Sequence, residues 1–140
     1  MKASLSLLSD PTELRRVIGF AEGFASRHAL PSGERARLLI ILEELFTNVV
    51  KHGHGRGMAP GTIEIALTFD GEGLRIDFSD DGRPFNPLNR LLPNLAQLQA
   101  KRQIGGLGLR ILRSLADDAR YSRDGDRNHL VLTRKIIRSG

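Results

Sequence analysis

Between Ser32 and the glycine-rich stretch that opens at Gly53, apolar residues recur at three- and four-residue spacing: Leu38, Leu39, Leu42, Leu45, Phe46 and Val49. The spacing predicts an amphipathic helix from about Glu34, capped by Ser32 and ended by His52-Gly53-His54-Gly55-Arg56-Gly57. Beyond it, Thr62 to Phe69 and Leu74 to Phe78 alternate apolar with other residues around Asp70-Gly71-Glu72-Gly73. A period of two on both sides of a turn predicts an antiparallel hairpin with one buried face.

The flanking segments are shorter versions of the same patterns. Ala3 to Leu8 reads as a first strand, and Asp10-Pro11-Thr12-Glu13 supplies an N-cap, a proline for the first helical position and an acid three residues after the cap. A helix carrying Leu14, Val17, Ile18, Ala21 and Ala25 is expected to run to about His28 and break at Leu30-Pro31-Ser32-Gly33. After Asp80-Asp81-Gly82 the periodicity is lost through Pro84, Pro87 and Pro93, a stretch of the length and character of a lid, with a helical turn or two between Asn94 and Arg102. Gly105-Gly106-Leu107-Gly108 then opens a third helix carrying Leu109, Ile111, Leu112 and Leu115, and a last strand, Leu130 to Ile136, follows the Asp124-Gly125-Asp126 turn. With no internal repeat, residues 1–140 are expected to form a single domain.

Composition narrows the chemistry. The chain has no cysteine, which removes disulfides, thiolate zinc sites and cysteine nucleophiles together, and fits a reducing, cytoplasmic setting. It has no apolar run near the ~20 residues of a membrane span, and its start does not match a signal peptide, so no membrane association is expected. The net charge of +5 resides in residues 101–140, which hold 10 basic and 4 acidic side chains against 11 and 12 in residues 1–100. A basic end suits nucleic acid, an acidic protein or a polyphosphate, and a solvated surface explains it equally well. Aromatic residues are few and not interleaved with the basic ones, so direct nucleic-acid binding is not expected.

Three short motifs bear on chemistry. Glu44 and Asn48 are four residues apart and share a helix face, taken to be the face away from the leucine stripe. A carboxylate stacked on an amide oxygen can handle a hydroxyl proton and a hard cation, although most isolated pairs of this kind are solvated surface. Asp80-x-Gly82 closes the hairpin's second strand; it is commonly a plain turn, but a carboxylate there can accept from an exocyclic purine amine, with Gly82 letting the ring approach. Gly105-Gly106-Leu107-Gly108-Leu109 offers unhindered amides at a helix start, which suits phosphate oxygens.

Taken in order, Glu44-x-x-x-Asn48 before the hairpin, Asp80-x-Gly82 after it, a lid of about twenty residues and Gly106-x-Gly108-Leu109 before a helix and strand resemble the Bergerat-fold (GHKL) ATPase and kinase superfamily. That superfamily takes in histidine kinases, gyrase, mismatch-repair proteins and anti-sigma-factor kinases. The resemblance covers nearly the whole chain and is strongest to the anti-sigma-factor serine/threonine kinase branch, through Glu-Glu-Leu-Phe-Thr-Asn-Val-Val-Lys-His at residues 43–52 and Gly106-Leu107-Gly108-Leu109-Arg110-Ile111-Leu112. It implies an α+β fold, a two-layer α/β sandwich whose mixed, mostly antiparallel sheet is covered on one face by helices. ATP and Mg2+ are the implied ligands, with Glu44 as general base, Asn48 as the Mg2+ ligand and Asp80 with Gly82 at the adenine. Gly106, Leu107, Gly108 and Leu109 would serve as lid hinge and phosphate contacts, with Lys51 and His52 within reach of phosphates; Arg83, Lys101 and Arg102 border the lid.

The same resemblance implies an anti-anti-sigma (STAS-type) protein as phosphoacceptor and a sigma factor as second partner, and it admits a homodimer. The alternative is a nucleotide-binding partner-switching module without kinase turnover. A free-standing catalytic fragment of a histidine-kinase system is disfavoured because it would need a separate dimerisation partner; the chain carries no phosphoacceptor-His helix, and a His52–His54 metal pair lacks a third ligand. Two departures stand out: many members carry Gly-Thr entering the last strand where this chain has Arg127-Asn128-His129, and Arg83-Pro84-Phe85-Asn86 replaces the usual glycine before the lid. Either Asn128 substitutes for the missing threonine or adenine binding is weaker than in those members.

Overall fold

The structure, a computed structural model, describes residues 2–52, 61–84 and 116–136. Strand β1 (Lys2–Leu8) leads through a 3-10 turn (Pro11–Glu13) into helix α1 (Leu14–Arg27), which is followed by α2 (Ser32–His52), β2 (Thr62–Phe69), β3 (Gly73–Asp80), β4 (Asp118–Asp124) and β5 (Arg127–Lys135). The five strands form one sheet in the order β1-β2-β3-β5-β4, and each of its pairings is antiparallel. The α+β architecture expected from the motifs is what is observed. The third helix expected after Gly105 and the turn between Asn94 and Arg102 lie outside the described residues.

Local chemistry accounts for each junction. The Asp10 carboxylate accepts from Thr12 N at 2.9 Å, and Pro11 sits where its missing N–H costs nothing. Because that first turn is 3-10, α1 starts three residues later than the capping pattern suggests. At the other end Ala29 adopts φ 52 and Leu30 N donates to Ala25 O at 2.9 Å, a left-handed stop to the helix. In the β2–β3 turn Gly71 has φ 97, and Asp70 Oδ1 accepts from Glu72 N and Gly73 N. Those backbone donors hold the Asp70 carboxyl below its usual pKa.

One face of the sheet and the apolar sides of both helices make the core. Ile63, Ile65 and Leu67 from β2, Leu74, Ile76 and Phe78 from β3, and Leu130 and Leu132 from β5 all point the same way, as a period of two requires. They meet Leu38, Ile41, Leu42, Leu45, Phe46 and Val49 of α2, with Val17, Ala21, Phe24 and Ala25 of α1 beside them. Two details differ from the sequence reading: Ile41 is buried and Leu39 only half-buried, and Phe24 lies deeper than Ile18. Strand β4 is absent from that reading because its inward residues, Ala119, Tyr121 and Arg123, do not register as an apolar alternation.

A buried ion pair ties the start of α2 to the end of the sheet. Arg134 Nε donates to Glu34 Oε2 at 2.8 Å and Arg37 Nη1 to Glu34 Oε1 at 3.1 Å, with the Glu34 side chain 8% exposed. Hydrogen bonding to Glu34 raises the Arg134 pKa above its ordinary value despite desolvation. Replacing one partner leaves the other under-compensated, so Glu34→Ala is expected to lower unfolding free energy by about 3 kcal/mol, the low end for such pairs because Asp117 also acts on Arg134. Urea unfolding of the two proteins checks this, and a change under about 1 kcal/mol refutes it.

Candidate functional site

Side-chain alternation along β3 sends Leu74, Ile76, Phe78 and Asp80 toward α2, so Asp80 is the strand's last inward residue and is buried among apolar neighbours. Its neighbour Asp81 turns the other way, where its Oδ1 accepts from Thr62 N at 2.9 Å and so clamps the loop to the start of β2. Asp80 Oδ1 accepts from Gly82 N at 2.9 Å and from Asn128 Nδ2 at 3.1 Å. Among the described residues Asp80 Oδ2 has no hydrogen-bond partner. One oxygen is committed and the other is available.

Asn48 approaches the same place from the helix. At about 100° per residue it lies beside Leu45 and Val49, on the border of the apolar stripe and not on the opposite face. Its side chain is therefore half-buried, and its Nδ2 is buried without a hydrogen-bond partner among the described residues. Burying an amide in this way is costly unless something else supplies the partner.

These two side chains line one cleft of about 320 Å³, its mouth included. Leu45, Val49, Phe78 and Leu130 form its apolar walls, and Asn48, Asp80, Tyr121 and Asn128 its polar ones. Apolar walls with a few convergent polar groups suit a small ligand with both apolar faces and polar edges. A larger open depression of about 910 Å³ lies at the far end of the sheet around Asp70, Arg75 and Asp117. There Asp70 Oδ1 and Asp117 Oδ2 accept from Gly73 N and Lys135 N at 2.6 Å each, bonds that tie down the β2–β3 turn and the end of β5.

The remaining candidates divide as follows. Gly82 is buried, its N bonded to Asp80 and its O accepting from Arg123 Nη1 at 2.8 Å. Glu44 is half-buried one turn before Asn48 on α2 but is not among the residues lining the cleft. Lys51 is exposed in the last turn of α2, and His52 ends that helix. Arg83 is exposed at the loop. Gly106, Leu107, Gly108 and Leu109, with Phe85, Lys101 and Arg102, lie outside the described residues.

No group of three His, Asp or Glu side chains among the described residues could hold a metal ion. A magnesium ion that keeps its waters and binds phosphates needs far less from the protein, and Asn48, which lines the cleft, carries an amide oxygen of the kind that meets that modest demand. Two residues escaped the sequence reading: Tyr121, whose hydroxyl donates to Asn128 Oδ1, and Arg123. No apolar alternation marks Ala119, Tyr121 and Arg123, so the sequence held no periodic signal that could have found them.

Comparison with known proteins points the same way. The model of the histidine kinase-like ATPase domain family matches residues 7–134. The serine/threonine-protein kinase BtrW of Bordetella bronchiseptica is 28% identical over 130 residues, covering 93% of this chain and 91% of that protein. The crystal structure of the RsbU and RsbW domains of Rv1364c from Mycobacterium tuberculosis superposes with a TM-score of 0.71 at 17% identity, covering 99% of this chain and 33% of that one. The histidine kinase domain of the blue-light activated histidine kinase from Erythrobacter litoralis gives 0.57 at 19% identity, covering 88% and 61%. At these identities the two structural likenesses speak to the fold alone. No helix among the described residues is long and apolar enough to cross a membrane.

Proposed function

Because this chain belongs to the histidine kinase-like ATPase domain family, we propose that it binds Mg-ATP in the Asn48–Asp80 cleft and acts as an anti-sigma regulatory factor. In this reading it is a serine/threonine protein kinase whose substrate is an anti-anti-sigma protein of the STAS type, with a sigma factor as its second partner. The convergence of Asp80 and Asn48 on one cleft, each with polar capacity unused, carries the proposal. The 28% identity to a serine/threonine-protein kinase over nearly the whole of both chains supports the kinase assignment.

Each residue then has a definite task. Asp80 Oδ2 accepts from the adenine amine while the ring lies between apolar walls, and Gly82 keeps the backbone beside it unobstructed. Asn48 holds Mg2+ through its amide oxygen, and the ion supplies charge neutralisation at the phosphates. Glu44, one turn away, takes the proton from a partner serine hydroxyl as its oxygen bonds to the γ-phosphorus and the bond to the departing ADP breaks. Gly106, Leu107, Gly108 and Leu109 donate backbone amides to the phosphates, with Lys51 and His52 at their outer edge.

A ligand that binds the folded chain alone raises its melting temperature. Mg-ATP at a hundred times its dissociation constant is expected to add about 2.7 kcal/mol, a shift of several degrees for a domain of this size, with no shift from Mg2+ alone. Unchanged melting in saturating Mg-ATP overturns nucleotide binding. The second reading, a partner-switching module that binds ATP without turnover, is favoured by one observation: Glu44 does not line the cleft. Incubation with labelled ATP and anti-anti-sigma proteins from the same genome separates the two.

A further inference from the structure

The face of the sheet turned away from the helices carries a cluster outside the cleft. Antiparallel register sets Ser79 of β3 and Ser122 of β4 directly opposite His129 of β5, and brings one acid on each neighbouring strand within diagonal reach of its ring. His129 Nε2 lies 3.0 Å from Asp77 Oδ1 on β3, and its Nδ1 lies 3.3 Å from Asp124 Oδ2 on β4. A carboxylate offers lone pairs only. A neutral imidazole has one N–H and one lone pair, so it donates to one of these oxygens and sets a lone pair against the other; the imidazolium donates to both.

We infer that Asp77, His129 and Asp124 form a proton-operated clasp across β3, β5 and β4, closed when the ring carries its second proton. The clasp spans three strands, whereas β4, at the edge of the sheet, pairs with β5 alone. It also stands behind the cleft. Asp77 is followed by Phe78, a cleft wall; His129 follows Asn128; and Asp124 follows Arg123, whose Nη1 donates to Gly82 O at 2.8 Å. Closing the clasp on one face of the sheet therefore fastens the strand whose other face supplies Tyr121 and Arg123.

Charged groups face this cluster from each strand. On β3, Arg75 Nε and Nη2 donate to the two Asp77 oxygens at 3.0 Å each. Burial pushes the Asp77 carboxyl up, but the bonds from Arg75 and His129 outweigh it and leave the group below its ordinary value, so Asp77 remains an anion in mild acid. On β4, Ser122 Oγ donates to Asp124 Oδ2 at 3.4 Å, and Arg120 pairs with Asp118 at 2.9 Å. On β5 itself, Arg127 reaches toward Ser79 Oγ at 3.3 Å, Thr62 Oγ1 at 3.4 Å and Glu64 at 4.0 Å. The neighbouring cations are engaged with other groups, and the two ring nitrogens are left to the two acids. A clasp that needs the proton stabilises the fold in acid and loses one of its bonds as the pH rises through the range where histidines ordinarily discharge, about pH 6.5.

The test is thermal melting, without nucleotide, of the unaltered chain, His129→Gln and Asp124→Asn at about pH 5.5 and about pH 8.5, a window above the range in which carboxylates ordinarily take up protons. Glutamine keeps a donor and an acceptor, as the neutral ring does, but gains no charge. The unaltered chain is expected to melt roughly 2–5 °C above His129→Gln in acid and within about 1 °C of it at the alkaline end. Asp124→Asn keeps the bond to Asp77 and should show the same pattern at about half the size, because Asp124 is exposed. The other histidines are common to all three chains and cancel in the differences. A gap of equal size at both pH values, or one that widens as the pH rises, overturns the inference, since packing alone carries no such dependence. If His129→Gln does not fold, Asp124→Asn decides alone by the same criterion. No nucleotide enters the measurement, so its failure leaves the nucleotide-binding reading untouched, and failure of that reading leaves the clasp standing.

Discussion

Asp80→Asn should weaken ATP binding by about 3 kcal/mol, roughly a hundredfold in dissociation constant, while changing the side chain's volume hardly at all. The reason is that both described groups bonded to Asp80 are donors. Gly82 N and Asn128 Nδ2 point at Oδ1, and the adenine amine is proposed for Oδ2. An amide has one oxygen to offer. Turned toward the two protein donors, it meets the adenine with an NH2; turned toward the adenine, it sets NH2 against NH2 inside the fold. In the first orientation the donor now facing the cleft suits a six-oxo purine, so the variant is expected to lose ATP affinity while gaining ITP affinity. Calorimetry with both nucleotides checks this, and an ATP dissociation constant within threefold of the unaltered chain's removes Asp80 from the site.

Glu44→Ala separates binding from turnover. A positioned general base contributes typically 10²–10⁴-fold to a proton-coupled step, so transfer of labelled phosphate to an anti-anti-sigma partner should fall by about three orders of magnitude. Nucleotide affinity should stay within a few-fold, because Glu44 does not line the cleft that would hold the purine. The paired loss of rate and retention of affinity is the signature of a base. Equal transfer by the variant and the unaltered chain assigns the proton to another group. Absence of transfer in both, with ATP still bound, favours the partner-switching module.

Much of the framework was legible along the chain because it rests on periodicity. The hairpin from Thr62 to Asp80 and the helix from Ser32 to His52 announce themselves by periods of two and 3.6, and both form where that reading expects them. Strand β4 was hidden because Tyr121 and Arg123 face inward for polar reasons: one donates to Asn128, the other to the Gly82 oxygen. Periodicity records burial of apolar surface, and a strand that turns hydrogen-bonding groups inward leaves little trace of it.

The candidate site divides along the same line. Glu44, Asn48 and Asp80 could be singled out by order and spacing, since i and i+4 share a helix face and alternate residues share a strand face whatever the rest of the fold does. Which of them share a cleft is a different matter. Asn48 lies at the margin of the apolar stripe, and its buried, unpartnered nitrogen follows from how α2 is rotated against β3 and β5, which depends on the packing of Leu45, Val49, Phe78 and Leu130 together. Asn128 is forty-eight residues from Asp80 and in sequence registers as a departure from a motif; the antiparallel register of β3 with β5 sets them opposite each other. Local periods thus determined the elements and their faces, because backbone geometry repeats without reference to distant residues. The meeting of Asn48, Asp80 and Asn128 in one cleft was decided by strand register and helix rotation, which arise from the whole core.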